Sequence, residues 1–148
     1  FGMDGGNLSD FSNGKGRALP PFGWELVRSG TVSASVAADN SLSIEVGRGA
    51  GGIAAKRLVR PKGGTFTLTG TMTAKGGATE QLPRLHVACM GRKQDMVIVL
   101  PQASGQGRYS FSNSITMPQC PYIEISIRVP GNFVDAPVTA QITAIGMH

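Results

Sequence analysis

The 148-residue chain carries 14 Lys and Arg against 9 Asp and Glu, a formal net charge of +5, with 21 Gly, 9 Pro and 41% hydrophobic residues. Its 16% charged residues fall well below the ~25% of an average globular protein, and Gly is about twice its usual share. That excludes coiled coils and helical arrays, the hydrophobic content excludes wholesale disorder, and no apolar run approaches the ~20 residues of a membrane-spanning helix.

Residues 1–148 are expected to form one domain, with 1–30 as an irregular segment packing on the rest. Asp4-Gly5-Gly6-Asn7, Ser12-Asn13-Gly14 and Pro20-Pro21 are turn chemistry. Thr31–Val36 and Ser41–Val46 alternate apolar and polar residues around an Asp39-Asn40 turn. Ile53–Val59 is a further strand, ended by Pro61 and Gly63-Gly64. In Thr65–Thr73, five Thr share one face and Phe66, Leu68, Gly70 and Met72 the other. Period 2 sustained over that length is a half-buried strand. Leu85, Val87 and Cys89 alternate with Arg84, His86 and Ala88. Met96–Leu100 is a nearly continuous apolar run, read as buried on both faces, and Pro101 and Gly105–Gly107 read as a loop. Tyr109–Ile115, Ile123–Val129 and Val138–Met147 complete about nine strands. No helical periodicity is present, and strands at this spacing indicate an all-β, two-sheet antiparallel sandwich.

Cys89 and Cys120 are expected to form a disulfide, since their spacing lets neighbouring strands meet. The alternative is a pair of buried thiols. A zinc site wants four ligands, and only His86 lies near them. The chain opens on Phe1 with no basic start or apolar run to read as a signal peptide, as a mature or excised piece of something longer would.

The order of features resembles the jelly-roll carbohydrate-binding modules of the family 4, 9 and 22 type and the broader galactose-binding-like sandwiches. Phe11-Ser12-Asn13-Gly14 precedes Gly23-Trp24. Ser41-Leu42-Ser43-Ile44 follows, then a strand ending before Pro61-Lys62-Gly63-Gly64. An aromatic-led strand opens at Thr65-Phe66-Thr67-Leu68, and Val138–Met147 closes the fold. The resemblance implies a noncatalytic module binding polysaccharide on a concave sheet face or a loop end. The Cys pair and Cys120-Pro121 also resemble β-sandwich regions that follow tetratricopeptide repeats in bacterial envelope proteins. That would make the chain an exported C-terminal accessory domain, in the periplasm, at the cell surface or outside the cell. The family's closing strand often carries paired Asp that help hold a structural calcium. Here it reads Thr139-Ala140-Gln141-Ile142-Thr143-Ala144-Ile145. No cofactor is therefore expected, although Asp4, Asp10 and Asp135 remain as oxygen donors.

Trp24 is the first ligand candidate, because an indole offers an apolar face to a sugar and an N–H to a hydroxyl. The plainer reading is a plug at one end of the sandwich. Arg84, His86, Tyr122, Glu124 and Arg128 project from two strands and form the second set, a shallow groove with directional donors and acceptors. The plainer reading there is a solvated sheet face. Lys56-Arg57, Arg60 and Lys62, with Arg92-Lys93, form two basic clusters that favour acidic partners. No aromatic flanks Lys56–Lys62, which argues against nucleic acid. Neither Gly-x-Ser-x-Gly nor His-Glu-x-x-His occurs, and His148 is terminal, so no enzyme is expected. The alternative to a glycan ligand is a structural or protein-interaction domain contacting its parent chain or a partner.

Overall fold

The structure, a computed structural model, describes residues 6–7, 11, 24–26, 31–49, 51–61, 64–75, 82–90, 92–117, 119–130 and 138–148. These form twelve strands: β1 Gly6–Asn7, β2 Glu25–Leu26, β3 Val32–Val36, β4 Leu42–Val46, β5 Gly52–Val59, β6 Thr65–Lys75, β7 Arg84–Cys89, β8 Arg92–Val99, β9 Gln102–Gly105, β10 Arg108–Thr116, β11 Ile123–Val129 and β12 Val138–Met147. No helix occurs among the described residues.

One sheet runs β3-β4-β12-β6-β10-β9, with β1 also on β12, and the other runs β2-β5-β11-β7-β8. All pairings are antiparallel. With β4, β5, β6, β7, β8, β10, β11 and β12 taken as the eight principal strands, the orders become first-eighth-third-sixth and second-seventh-fourth-fifth. That is the double Greek key of a jelly roll, so the expected two-sheet antiparallel sandwich is the fold.

Alternation fixes which side chains fill it. On β6, Phe66, Leu68 and Met72 are buried and the Thr side chains face out, while on β11 Ile123, Ile125 and Ile127 are fully enclosed. Burying such a side chain stabilises the fold by about 1.5–3 kcal/mol. Phe11 and Trp24, from the segment expected to be irregular, are also fully buried in this core. The β3–β4 hairpin turns at Asn40, whose φ of 67° lies in the left-handed region that Asn tolerates better than most residues. Asp39 Oδ1 accepts hydrogen bonds from the Ser41 amide and hydroxyl at 3.1 and 2.6 Å, which hold its carboxyl below the usual range.

Cys89 and Cys120 are joined in a disulfide across Cα atoms 5.9 Å apart. Cys89 ends β7 and Cys120 sits just before β11. The bond therefore closes the excursion of the chain through β8, β9 and β10, out to the opposite sheet and back.

The elements depart from expectation in three places. Two short strands, β1 and β2, lie within the first 30 residues. Gln102–Gly105 is a strand, β9, where the sequence reading has no strand and places Pro101 and Gly105–Gly107 in a loop. All four of its residues are exposed, so an edge position leaves no apolar alternation to find. Met96–Leu100 is not buried on both faces. Val99 points inward, whereas Met96, Ile98 and Leu100 are exposed at 49%, 44% and 53%. β8 pairs only with β7 among the described strands, so no described strand lies along its other edge.

Candidate functional site

The antiparallel pair β7–β11 brings together most of the second candidate set. Arg84 stands directly opposite Arg128, His86 opposite Ser126, and Ala88 opposite Glu124. Leu85, Val87, Ile125 and Ile127 fill the core from the same strands, so these partners face outward. Arg128 continues the row to Ile53 on β5. Arg84, His86 and Arg128 then line a cavity of about 330 Å3 with Gly52, Ile53, Val129 and Pro130.

The chemistry of this pocket is cationic. Arg128 Nε donates to Ser126 Oγ at 3.1 Å, and Ser126 is itself buried, which fixes one guanidinium. His86 Nδ1 is buried without a hydrogen-bond partner. Burial, then the charges of Arg128 and Arg84, push the imidazole pKa down, so the ring is neutral at pH 7 and offers one donor and one acceptor.

That shift makes stability pH-dependent. Above the ordinary imidazole value of 6.5 the folded and unfolded chains carry the same neutral ring. As pH falls below it, the unfolded chain takes the proton first, so stability is lost progressively through the lowered folded value. Thermal melts should show Tm declining between pH 7 and pH 5, with a shallower decline in His86→Gln.

Glu124 and Tyr122 lie further along the same face. Glu124 borders a smaller cavity of about 210 Å3 with Glu25, Lys56, Arg57, Leu58 and Met90. Lys56 pairs with Glu25 at 3.7 Å. Tyr122 is 37% exposed, and its carbonyl accepts from the Met90 amide at 3.1 Å, beside the disulfide.

Trp24 is not brought to this face. It is fully buried, its ring 5.3 Å from that of Phe11 and the Arg57 guanidinium carbon 5.8 Å from its centroid. A ring enclosed in this way presents no surface to a sugar. The same contact dissolves the first basic cluster. Adjacent strand residues point to opposite faces, so Lys56 faces out while Arg57 turns in, 7% exposed. Lys62 and the side chains of Arg92 and Lys93 lie outside the described residues, as do Asp4, Asp10 and Asp135. Among the described residues no group of three His, Cys, Asp or Glu is placed to hold a metal.

Sequence reasoning missed a second groove of about 460 Å3 on the opposite sheet. Its floor is one transverse row, Ser43, Gln141, Thr73 and Arg108, carried by β4, β12, β6 and β10 in register. The surrounding face is a field of hydroxyls paired across strands: Thr65 with Thr116 at 3.2 Å, Thr67 with Ser114 at 3.2 Å, and Thr71 with Thr143 at 2.7 Å. Alternation shows that these side chains face out, but only the strand order shows that they align.

Solved structures share this architecture. One is TmCBM61 in complex with β-1,4-galactotriose, at a TM-score of 0.55 and 14% identity, covering 84% of this chain and 87% of that one. The fold is shared with a carbohydrate-binding module. A looser overlap, with a TM-score of 0.39 and 9% identity, covers 96% of this chain and 47% of a structure of botulinum neurotoxin type C, whose cell entry depends on two ganglioside molecules. No family model and no curated protein matches the chain.

Proposed function

We propose that this domain is a noncatalytic glycan-binding module of an exported protein and that its contact site is the pocket of Arg84, His86 and Arg128. The observation that carries the reading is the convergence of these three side chains, from two paired strands, on one cavity walled by Ile53, Val129 and Pro130. Guanidinium and imidazole groups hydrogen-bond hydroxyls directionally, and apolar walls suit the C–H face of a pyranose. The likeness to a module solved with a galactotriose supports the same reading. Export is supported by the disulfide, a bond that persists in oxidising compartments. Glu124 and Tyr122 extend the contact along β11.

Native affinity electrophoresis through gels containing neutral and acidic polysaccharides, followed by calorimetry, tests this. Retardation by at least one glycan, reduced in Arg84→Gln, is expected. Unchanged mobility in every gel would overturn the reading.

A second reading, a protein-contact domain of a larger envelope protein, is favoured by one observation. Of the exposed large apolar residues, Met96 and Ile98 lie on β8, and Met90, Leu100 and Tyr122 directly flank β7, β8 and β11 of the five-stranded sheet. Three of them belong to the edge strand β8 and its end. An extended segment of the parent protein laid along that edge would gain backbone hydrogen bonds and cover the apolar stripe. Amide exchange should then be slower in β8 of the full-length parent than in the isolated domain. Equal exchange removes this reading.

A further inference from the structure

We infer that the hydroxyl face of the seven-stranded sheet is a second contact surface, which adsorbs the domain onto neutral polysaccharide packed as an insoluble fibre. It lies on the opposite side of the sandwich from Arg84, His86 and Arg128 and does not depend on their pocket.

The outward positions of the three inner strands share one chemistry. On β6 they are the Thr residues of Thr65–Thr73, on β10 Ser110, Ser112 and Ser114, and on β12 Gln141 and Thr143. No residue from Thr65 to Thr73, from Ser110 to Thr116 or from Thr139 to Thr143 is charged, although soluble domains commonly carry about 25–35% charged residues on their surface. The exposed large apolar residues belong to the other sheet and its flanks. Strand propensity accounts for Thr on a wet strand, but it gives no reason for Ser at three successive outward positions of β10.

Register turns these residues into an array. Thr67 stands beside Ser114, Thr69 beside Ser112 and Thr71 beside Ser110. Neighbouring strands are about 4.8 Å apart and outward positions about 6.7 Å apart along each strand, so the β6 column alone runs roughly 27 Å. At one end the array enters the groove that Ser43, Gln141, Thr73 and Arg108 help to line, which adds amide and guanidinium donors. The bonds between Thr65 and Thr116, Thr67 and Ser114, and Thr71 and Thr143 leave each hydroxyl further donor or acceptor capacity. They also hold it in place, together with the stiff χ1 of Thr. Ordering these groups therefore adds little to the cost of binding.

Each such hydroxyl exchanges a bond to water for a bond to ligand and gains little alone. The face holds a ligand only through many bonds made together. A packed polysaccharide surface supplies them, because several chains lie side by side and present rows of hydroxyls. A short soluble oligosaccharide covers only part of one row, and an uncharged array matches an uncharged polymer.

Adsorption isotherms on microcrystalline cellulose, chitin and insoluble mannan test this, with depletion read from the fluorescence of Trp24. Wild type should adsorb to at least one of the three, with little change in high salt. Thr67→Val/Thr71→Val/Thr143→Val keeps the β-branched shape and should weaken adsorption about tenfold or more. Ser112→Ala/Ser114→Ala should weaken it about threefold or more. Arg60→Gln, exposed and outside the array, should change it less than twofold. Circular dichroism spectra matching wild type establish that the variants are folded.

Val makes the face more apolar, so adsorption through apolar contact would rise in the triple variant. A rise or no change there, and in the Ser variant, would overturn the inference. So would adsorption to none of the three polymers, which leaves the pocket reading intact because retardation by soluble glycans tests that separately. Shaping of ice crystals without adsorption to any polymer would assign the array to ordered water and also overturn it. Adsorption lost in the triple variant, with no retardation of wild type by any soluble glycan, would uphold this face and overturn the pocket alone.

Discussion

Trp24→Ala should remove about 3–5 kcal/mol of stability, the usual cost of truncating a fully enclosed aromatic side chain. Trp24 leads the largest fully buried side chains of the domain, and its ring is shared by Phe11 on one side and the Arg57 guanidinium on another. The truncation therefore opens a cavity and also takes away the aromatic face against which a largely buried cation rests, a contact worth about 0.5–2 kcal/mol. Against a total of roughly 5–15 kcal/mol for a domain, that is a large share. Urea unfolding followed by far-UV circular dichroism is the right measurement, because Trp24 is the chain's single Trp and its fluorescence disappears with it. Trp24→Phe, which keeps a ring in place, should recover most of the loss. A loss below about 1 kcal/mol in the Ala variant would contradict the enclosed position. In the intact domain, glycan binding should leave the emission maximum of Trp24 unmoved, the opposite of what a surface stacking platform gives.

Removing the Cys89–Cys120 bond is the second large effect. A closed loop with a sequence separation of 31 constrains the unfolded chain by about 3–4 kcal/mol in the chain-entropy account. For a domain of this size that corresponds to a fall in Tm of roughly 6–16 °C. The double variant Cys89→Ala/Cys120→Ala, and wild type melted in reductant, should show the same fall. A change of less than about 2 °C would contradict it. The disulfide sits at one end of β7 and Arg84 at the other, separated by roughly 3.3 Å per residue along the strand. Glycan retardation measured well below the lowered Tm should therefore persist after reduction.

Most of the framework was legible because half-buried strands announce themselves by alternation. The five Thr of Thr65–Thr73 and the Ile residues of β11 are plain examples. Alternation also held the answer at Lys56-Arg57, since Arg57 is in phase with Ala55 and Val59, both buried. Reading the pair as a charge cluster overlooked that phase. The outcome for Met96–Leu100 was not available from pattern. A continuous apolar run looks the same on a covered central strand and on a bare edge, and only neighbours decide which. The candidate site was half legible. The outward phase of Arg84, His86 and Arg128 follows from their strands, but the register that sets Arg84 against Arg128 does not. The transverse row on the other sheet was invisible for a stronger reason. Ser43, Thr73, Arg108 and Gln141 meet only because the jelly-roll order gathers four distant strands.

That order also dictates when the domain assembles. β12 lies between β4 and β6 and also carries β1, yet it is the last strand along the chain. Ile142 of β12 and its partner Leu42 of β4 must find each other across most of the sequence, a pairing of high contact order that places folding in the slow, millisecond-to-second class. On the ribosome, the seven-stranded sheet cannot close until residues 138–147 have cleared the exit tunnel. Until then Leu42, Ile44, Leu68 and Met72 lack the strand that covers their flank. The vulnerable interval is thus the one in which β1 to β11 have emerged and β12, a central strand of that sheet, has not.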